Sequence, residues 1–342
     1  MRIGVICNSF MRSGGMESYA LGIVDALIKL GHKPVIFCKK ADSSLPFYKA
    51  CEVYVCPHSW LPSKVRTVYF NYWLRKIRSC VFIDFAIGCC LNSVSEVVAC
   101  GGTHLGFLSA MKKWRKISDS WVLKIERASY LNAKAVIAHS EMMKRELIDY
   151  YGVEPEKIHL IYPPHDIKVN NFEMDKEALR RKFNLPLDKK LFLFPSSSHK
   201  RKGFDLLKEY FEKCDSNYEL IVAGRPIGGQ FRNIRYVGFC KEMSALYQAC
   251  DYSILASLYE PLGLVGIESV LNGTPCIMKD NIGCREVISP KAISVFSNIE
   301  ELSKVTKKQI ELKKPYSQYI KPEVLGTYVD HVRQLCELNG YK

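Results

Sequence analysis

The chain has 342 residues, of which 48% are hydrophobic and 25% charged, and it carries a formal net charge of +14. That length suits two domains of about 150 residues each, the composition excludes a disordered chain, and no run approaches the roughly 18–20 apolar residues of a membrane span. The positive surplus favours an anionic partner, whether nucleic acid, a phospholipid surface or a phosphorylated substrate, without choosing among them.

The first segment, "RIGVICNS", is β-rich and lacks the apolar core and cleavage site of a leader peptide. It predicts a first strand, and with it a chain that stays in the cytoplasm. A glycine loop, "RSGGMES" (Arg12–Ser18), leads into an apolar-periodic helix, "YALGIVDALIKLG", which Gly31 ends before the strand "KPVIFCK". The runs "EVYVCP", "CVFIDFAIG" and "EVVACGG" alternate with helical or loop segments, and "AKAVIAHS" and "KIHLIYPP" close this half. Apolar strands alternating with helices indicate a parallel sheet covered on both faces.

The polar stretch after Pro163–Pro164, "HDIKVNNFEMDKEALRRKFN", reads as an interdomain connection. The pattern then restarts with "KLFLFPSSS", a helix from Phe204, "YELIVAG", "IRYVGF", a helix from Lys241, "DYSILAS", a helix after Pro261, and "TPCIMKD". An amphipathic helix from about Pro322 ends the chain. The fold class is therefore α/β, two Rossmann-like doubly wound domains in tandem. Ligands bind open α/β sheets at the C-terminal ends of their strands, so a cleft between the domains is the expected site.

Fourteen cysteines sit mostly in apolar runs, as Cys7, Cys38, Cys250 and Cys276 do, and no C-x-x-C pair occurs. Free thiols acting as small buried hydrophobes are expected, not disulfides or a metal site.

Three segments carry candidate chemistry. Gly14 and Gly15 allow a tight turn before a helix whose first N–H groups face an anion, although the loop lacks the dinucleotide pattern and reads equally as a plain tight turn. In "SSSHKRKGFDLL", His199, Lys200, Arg201 and Lys202 gather before Gly203 and a helix start, where cations would hold a diphosphate. In "YEPLGLVGIES", Glu260 follows a strand, Pro261 suits a helix's first turn, and Leu262, Gly263 and Leu264 offer backbone N–H groups. Glu268 lies about two turns on, among apolar neighbours; carboxylates accept hydrogen bonds from paired hydroxyls, as sugars and riboses present them.

"EPLGLVGIESVLNGTPCI" resembles the E-x7-E signature of retaining, nucleotide-sugar-dependent glycosyltransferases of family 4, with the GT-B fold. The likeness extends to the Gly14–Gly15 loop, the "RKG" before a helix and the last helix, and is similar to the lipopolysaccharide-core glucosyltransferase branch. It implies an N-terminal acceptor-binding domain (1–168, joined by a crossing helix in 322–342) and a C-terminal nucleotide-sugar-binding domain (169–321). It further implies that Glu260 holds hydroxyls of the donor sugar, Glu268 the ribose, and Lys202 the diphosphate, with the Gly263–Leu264 backbone assisting. Gly15 would lie near the phosphate and acceptor, and His104, in "ACGGTHLGF", would reach the reacting sugar. Many members carry an arginine five positions before the lysine; here that position is Ser197, and Arg201 or Arg225 is left to supply the charge.

The resemblance therefore implies a retaining hexosyltransferase using a nucleotide-sugar, UDP-sugar by family frequency, with ADP-heptose and GDP-mannose as alternative donors. The acceptor it implies is a phosphorylated glycolipid such as lipopolysaccharide core. A non-catalytic nucleotide- or phosphoglycan-binding protein is the alternative of a different class. No D-x-D motif occurs, so no metal cofactor is expected, basic side chains and helix termini taking its place. Segments 63–79 and 107–131 interleave Lys and Arg with Trp, Tyr, Phe and Leu, the pattern of a surface lying against anionic lipid. Two ordinary amphipathic helices with a basic outer face, or a nucleic-acid face, would carry the same pattern; with the family resemblance, peripheral contact with the inner face of the plasma membrane is expected, and nucleic acid is not.

Overall fold

The computed structural model describes residues 1–12, 14–62, 65–165 and 175–341. Residues 166–174 of the expected connection, Ser13 of the glycine loop, Ser63 and Lys64 of the first basic segment, and Lys342 lie outside the described residues. The chain divides into two units, Met1–Asp166 with Gly326–Lys342, and Ile167–Leu325.

The first unit begins β1 (Arg2–Ile6), β2 (Ser9–Phe10), α1 (Gly15–Lys29), β3 (Lys33–Cys38), β4 (Lys40–Ala41), β5 (Glu52–Val55), α2 (Arg66–Cys80) and β6 (Phe85–Gly88). It continues β7 (Val97–Cys100), α3 (His104–Ala110), α4 (Ile117–Asn132), β8 (Ala135–Ala138), α5 (Glu141–Tyr151) and β9 (Ile158–Leu160). Seven strands form one parallel sheet in the order β5-β3-β1-β6-β7-β8-β9, and β2 pairs with β4 separately. Side chains alternate across a strand, so Ile3 and Val5 of β1 pack with α1 while Ile6 packs on the opposite face with Phe70 and Leu74 of α2. Strands covered on both sides must be apolar throughout, and β6, β7 and β8 are wholly buried.

The second unit holds α6 (Lys176–Lys182), β10 (Lys190–Ser196), α7 (His199–Lys202), α8 (Phe204–Lys213), β11 (Tyr218–Gly224) and β12 (Ile234–Gly238). After these come α9 (Met243–Ala249), β13 (Tyr252–Leu255), α10 (Leu264–Leu271), β14 (Cys276–Lys279), β15 (Ile293–Phe296) and α11 (Ile299–Val305). Its parallel sheet runs β12-β11-β10-β13-β14-β15, so the winding reverses between β10 and β13. That reversal is where an open α/β sheet leaves a ligand-sized crevice beyond the strand ends. The last helix, α12 (Tyr328–Leu338), belongs to the first unit and lies on α1, with the Tyr328 ring against Gly22.

Several element boundaries differ from the sequence expectation. Within the polar stretch read as a connection, residues 176–182 form α6, because Leu179 is buried and Arg180 reaches Asp251 (2.7 Å) and the Ala249 carbonyl (3.0 Å). The helix expected from Pro261 starts only at Leu264. Residues 260–262 are held outside the helix by the Glu260–Ile282 bridge, the Gly283 N–H on the Glu260 carbonyl (3.1 Å) and the Cys284 N–H on the Leu262 carbonyl. The final helix starts at Tyr328, where the Thr327 hydroxyl accepts the Asp330 N–H. All fourteen cysteines are free thiols, most of them buried. Among the described residues no helix is long and apolar enough to cross a membrane.

Candidate active site

In the second unit the turn from β10 into α7 is built by side chains locking its backbone. The Ser196 hydroxyl lies 2.8 Å from His199 Nδ1, and His199 Nε2 lies 3.1 Å from the carbonyls of Arg225 and Pro226. Carbonyls only accept, so Nε2 carries the proton and Nδ1 accepts from the serine. Gly203 then ends α7 at φ +77°, and a Cβ there would stand 2.0 Å from the Ala256 carbonyl oxygen. Only glycine permits both the left-handed backbone and this approach of the turn to the end of β13.

The approach sets α7 beside the loop after β13. Glu260 Oε2 receives three donors: Lys202 Nζ at 2.7 Å, Arg201 Nη1 at 2.9 Å and the Ser257 hydroxyl at 2.9 Å. None of the three reaches Oε1. Arg201 also donates to the Tyr259 carbonyl at 2.9 Å, fixing its fork. Burial pushes the Glu260 carboxyl up, but the charges of Lys202 and Arg201 overcome it, leaving the group below its ordinary range and ionised. Lys202 itself is only 8% exposed. A carboxylate and two cations thus meet at the strand ends flanking the winding reversal.

Gly263, at φ +88°, is the N-cap of α10, and the helix's first amides follow from Leu264. Such amides are orphan donors carrying the positive end of the helix dipole. Leu262 is buried beside them. One turn further, Glu268 Oε2 accepts the Tyr247 hydroxyl at 3.1 Å. Burial raises the Glu268 carboxyl, and Tyr247 and Lys202 only partly counter it. The two glutamates are therefore electrostatically unlike: Glu260 is held ionised by cations, Glu268 is poised nearer neutrality.

Arg225 divides from Arg201 here. Its amide binds the Ser196 carbonyl at 3.0 Å but its side chain is exposed, as Ser197 is, so it sits at the rim of the turn and outside the Glu260 cluster.

In the first unit, Gly14 caps α1 and Gly15 is its first residue; both are exposed. His104 is the first residue of α3, after Thr103, whose hydroxyl accepts the Gly106 N–H as the cap. Its own N–H lies 3.0 Å from Glu126 Oε1, and its Nε2 3.1 Å from Asp119 Oδ1. Glu126 is buried and also accepts hydroxyls of Tyr130 (3.2 Å) and Tyr151. Burial raises its carboxyl despite these donors.

Asp119, Glu126, Tyr247 and Ser257 escape the sequence reading. Each supports a candidate residue across a separation that only the folded chain closes, save Ser257, three positions from Glu260.

Comparison with known proteins settles the class. Residues 13–169 match the Glycosyltransferase Family 4 profile and residues 175–322 the profile of glycosyl transferases group 1. A probable transglycosylase of Burkholderia thailandensis is 40% identical over 87% of this chain and 82% of its own. The chain belongs to the family 4 glycosyltransferases. An uncharacterized glycosyltransferase of Methanocaldococcus jannaschii is 25% identical over 57% of this chain, which spans about half of that relative's length (52%). Among solved structures the fold is similar to WaaG, a glycosyltransferase involved in lipopolysaccharide biosynthesis (TM-score 0.78, 17% identity, 98% of this chain and 95% of that one). It is also similar to Anabaena HepE in complex with UDP (TM-score 0.70, 15% identity, 99% and 100%) and with UDP-glucose (TM-score 0.71, 15% identity, 98% and 99%). This glycosyltransferase therefore has the GT-B-type α/β fold that its sequence resembles.

Proposed function

We propose that this family 4 glycosyltransferase moves a hexose from a UDP-sugar to a phosphorylated glycolipid acceptor of the lipopolysaccharide-core type, with retention and without a metal cofactor. The observation that carries the reading is the meeting of Glu260, Lys202 and Arg201 at the strand ends of the second unit, next to the start of α10. The diphosphate takes Lys202 and the α10 amides, which neutralise the charge that the leaving nucleotide develops. Glu260 turns to the hydroxyls of the donor sugar and Glu268 to those of the ribose. Gly14, Gly15 and His104 keep the phosphate- and acceptor-side roles that the family resemblance implies. The sugar's C1–O bond to phosphate breaks while a C1–O bond to the acceptor forms on the same face, and the acceptor's proton passes to the departing phosphate oxygen.

The similar fold of WaaG supports a lipopolysaccharide-type acceptor, and the UDP and UDP-glucose complexes of HepE support the donor. The charge of +14 and the basic–aromatic sequence segments 63–79 and 107–131 support a protein held peripherally on the inner, anionic face of the plasma membrane. The test is a thermal-shift screen of UDP-, GDP- and ADP-sugars in buffer containing EDTA. A donor at about 100 times its Kd stabilises the native state by about 2.7 kcal/mol, and Lys202→Ala should abolish that shift. If no nucleoside diphosphate sugar moves the melting curve, or only a divalent cation restores the shift, the reading fails in its donor or its metal-free form respectively.

A further inference from the structure

His104 and Trp114, the most exposed aromatic among the described residues, are linked through one carboxylate. After α3 the backbone reverses at Lys112 (φ +48°); the loop to α4 presents Trp114 at 94% exposure, and the first residue of α4, Ile117, stands at 84%. Residues 107–118 contain four cations (Lys112, Lys113, Arg115, Lys116) and no acid. An aromatic and an aliphatic side chain standing in water among cations complement an anionic bilayer, whose interface takes the ring while its headgroups take the charges. Asp119 closes this loop: its Oδ2 accepts the Lys116 N–H at 2.7 Å while its Oδ1 lies 3.1 Å from His104 Nε2. A carboxylate on Nε2 fixes the proton there and leaves Nδ1 to meet a ligand. The loop cannot shift at Lys116 without moving the group that orients the imidazole.

We propose that Asp119 is the positioning residue for His104, and that through it the segment 112–117 sets the histidine when Trp114 and Ile117 seat in an anionic bilayer. The proposal rests on the acceptor-side role given to His104 above. In the seated state the Lys116 N–H is held and the Asp119–His104 contact persists. Away from a bilayer, Asp119 is held only by its contacts to the Lys116 N–H and to His104, and the added restraint of the seated loop is lost, so turnover should be interface-dependent.

The test follows carbethoxylation of His104 by mass spectrometry on the full chain, with phosphatidylglycerol/phosphatidylcholine vesicles, with phosphatidylcholine vesicles alone, and without lipid. The anionic vesicles should slow modification about threefold in the wild type and in Asp119→Glu, and not in Asp119→Asn, which still co-sediments with them. Phosphatidylcholine alone should have no effect. In parallel, Asp119→Asn should lower kcat about tenfold at unchanged donor KM, and His104→Ala/Asp119→Asn should be no slower than His104→Ala. Equal protection of Asp119→Asn and wild type would mean that lipid merely shields the ring and would overturn the coupling. Protection by an oligonucleotide or by neutral vesicles to the same degree would overturn the choice of bilayer. If His104→Ala leaves sugar-nucleotide turnover unchanged, the catalytic reading of His104 falls separately, because the modification result does not depend on turnover.

Discussion

At the residue scale the two glutamates of the E-x7-E segment have opposite electrostatics, and that difference predicts opposite pH behaviour. Glu260, held ionised by Lys202 and Arg201, stabilises the fold above the ordinary carboxylate pKa and loses that contribution as pH falls. Removing it leaves two partly buried cations facing each other, so Glu260 variants will lose stability as well as turnover, and assays on them belong well below their Tm. Glu268 runs the other way. Its folded-state carboxyl is raised, so its contribution is favourable below the unfolded pKa of about 4.3 and is lost as pH rises through the folded value. Ionising Glu268 is therefore a cost to the empty protein. Glu268→Gln should raise Tm at pH 8 and leave it unchanged at pH 4, while increasing the KM for the donor. A Tm gain equal at both pH values, or a loss at pH 8, would show that burial does not govern this carboxyl.

At the scale of elements, the joint between β10, α7 and α8 carries the candidate site. The sequence "KRKG" places three cations before a glycine, and the fold shows why that glycine cannot be replaced: its backbone is left-handed and the Ala256 carbonyl occupies the space of a side chain. Gly203→Ala adds about 1–2 kcal/mol for the backbone alone, and displacement of the end of β13 adds to it. A total loss of at least about 2 kcal/mol in urea unfolding is expected, with the donor-induced thermal shift lost even where the variant folds; a loss under about 0.5 kcal/mol would refute the close approach. Most strands were legible because burial on both faces forces continuous apolar runs, as in "YELIVAG" and "KPVIFC". Helix starts were less legible. Pro261 is sterically suited to a first turn, but the long-range bridge between its neighbour Glu260 and Ile282 keeps this stretch outside the helix, and no local pattern records that bridge. Likewise α6 looked too polar to pack until Arg180 found Asp251, 71 residues away.

For the whole molecule, the sequence carried the fold class and the glutamate–lysine cluster, because a strand-end motif and a glycine turn are local features. Supports such as Asp119 and Tyr247 were hidden, since a carboxylate or tyrosine becomes a positioning group only through its distant partner. The same limit hid a buried histidine pair that should set the acid stability of the first unit. His331 on α12 places Nε2 2.6 Å from the Tyr19 hydroxyl of α1, and the Tyr19 ring stands edge-on to His139, 4.8 Å away, after β8. Burial lowers His139 to about 3, with the charge of His331 adding to the effect, and lowers His331 to about 4. Both folded values lie below the unfolded value near 6.5, so the native state excludes protons that the unfolded chain binds. The stability that depends on neutral imidazoles is complete above about pH 6.5 and drains away as pH falls. At pH 5 each histidine costs about 2 kcal/mol by this linkage, on the order of 4 kcal/mol together, against a typical domain stability of ~5–15 kcal/mol. The second unit has no histidine buried in this way among its described residues. Hydrogen exchange, corrected for the intrinsic pH dependence of the amides, should therefore show protection of α1 and α12 falling between pH 6.5 and 5 while β10 and β11 remain protected. His331→Gln should flatten that fall by about half. Uniform loss in both units would place the acid-sensitive group elsewhere, and a flat profile for α12 would mean that the histidine pair accepts its protons without opening the helix.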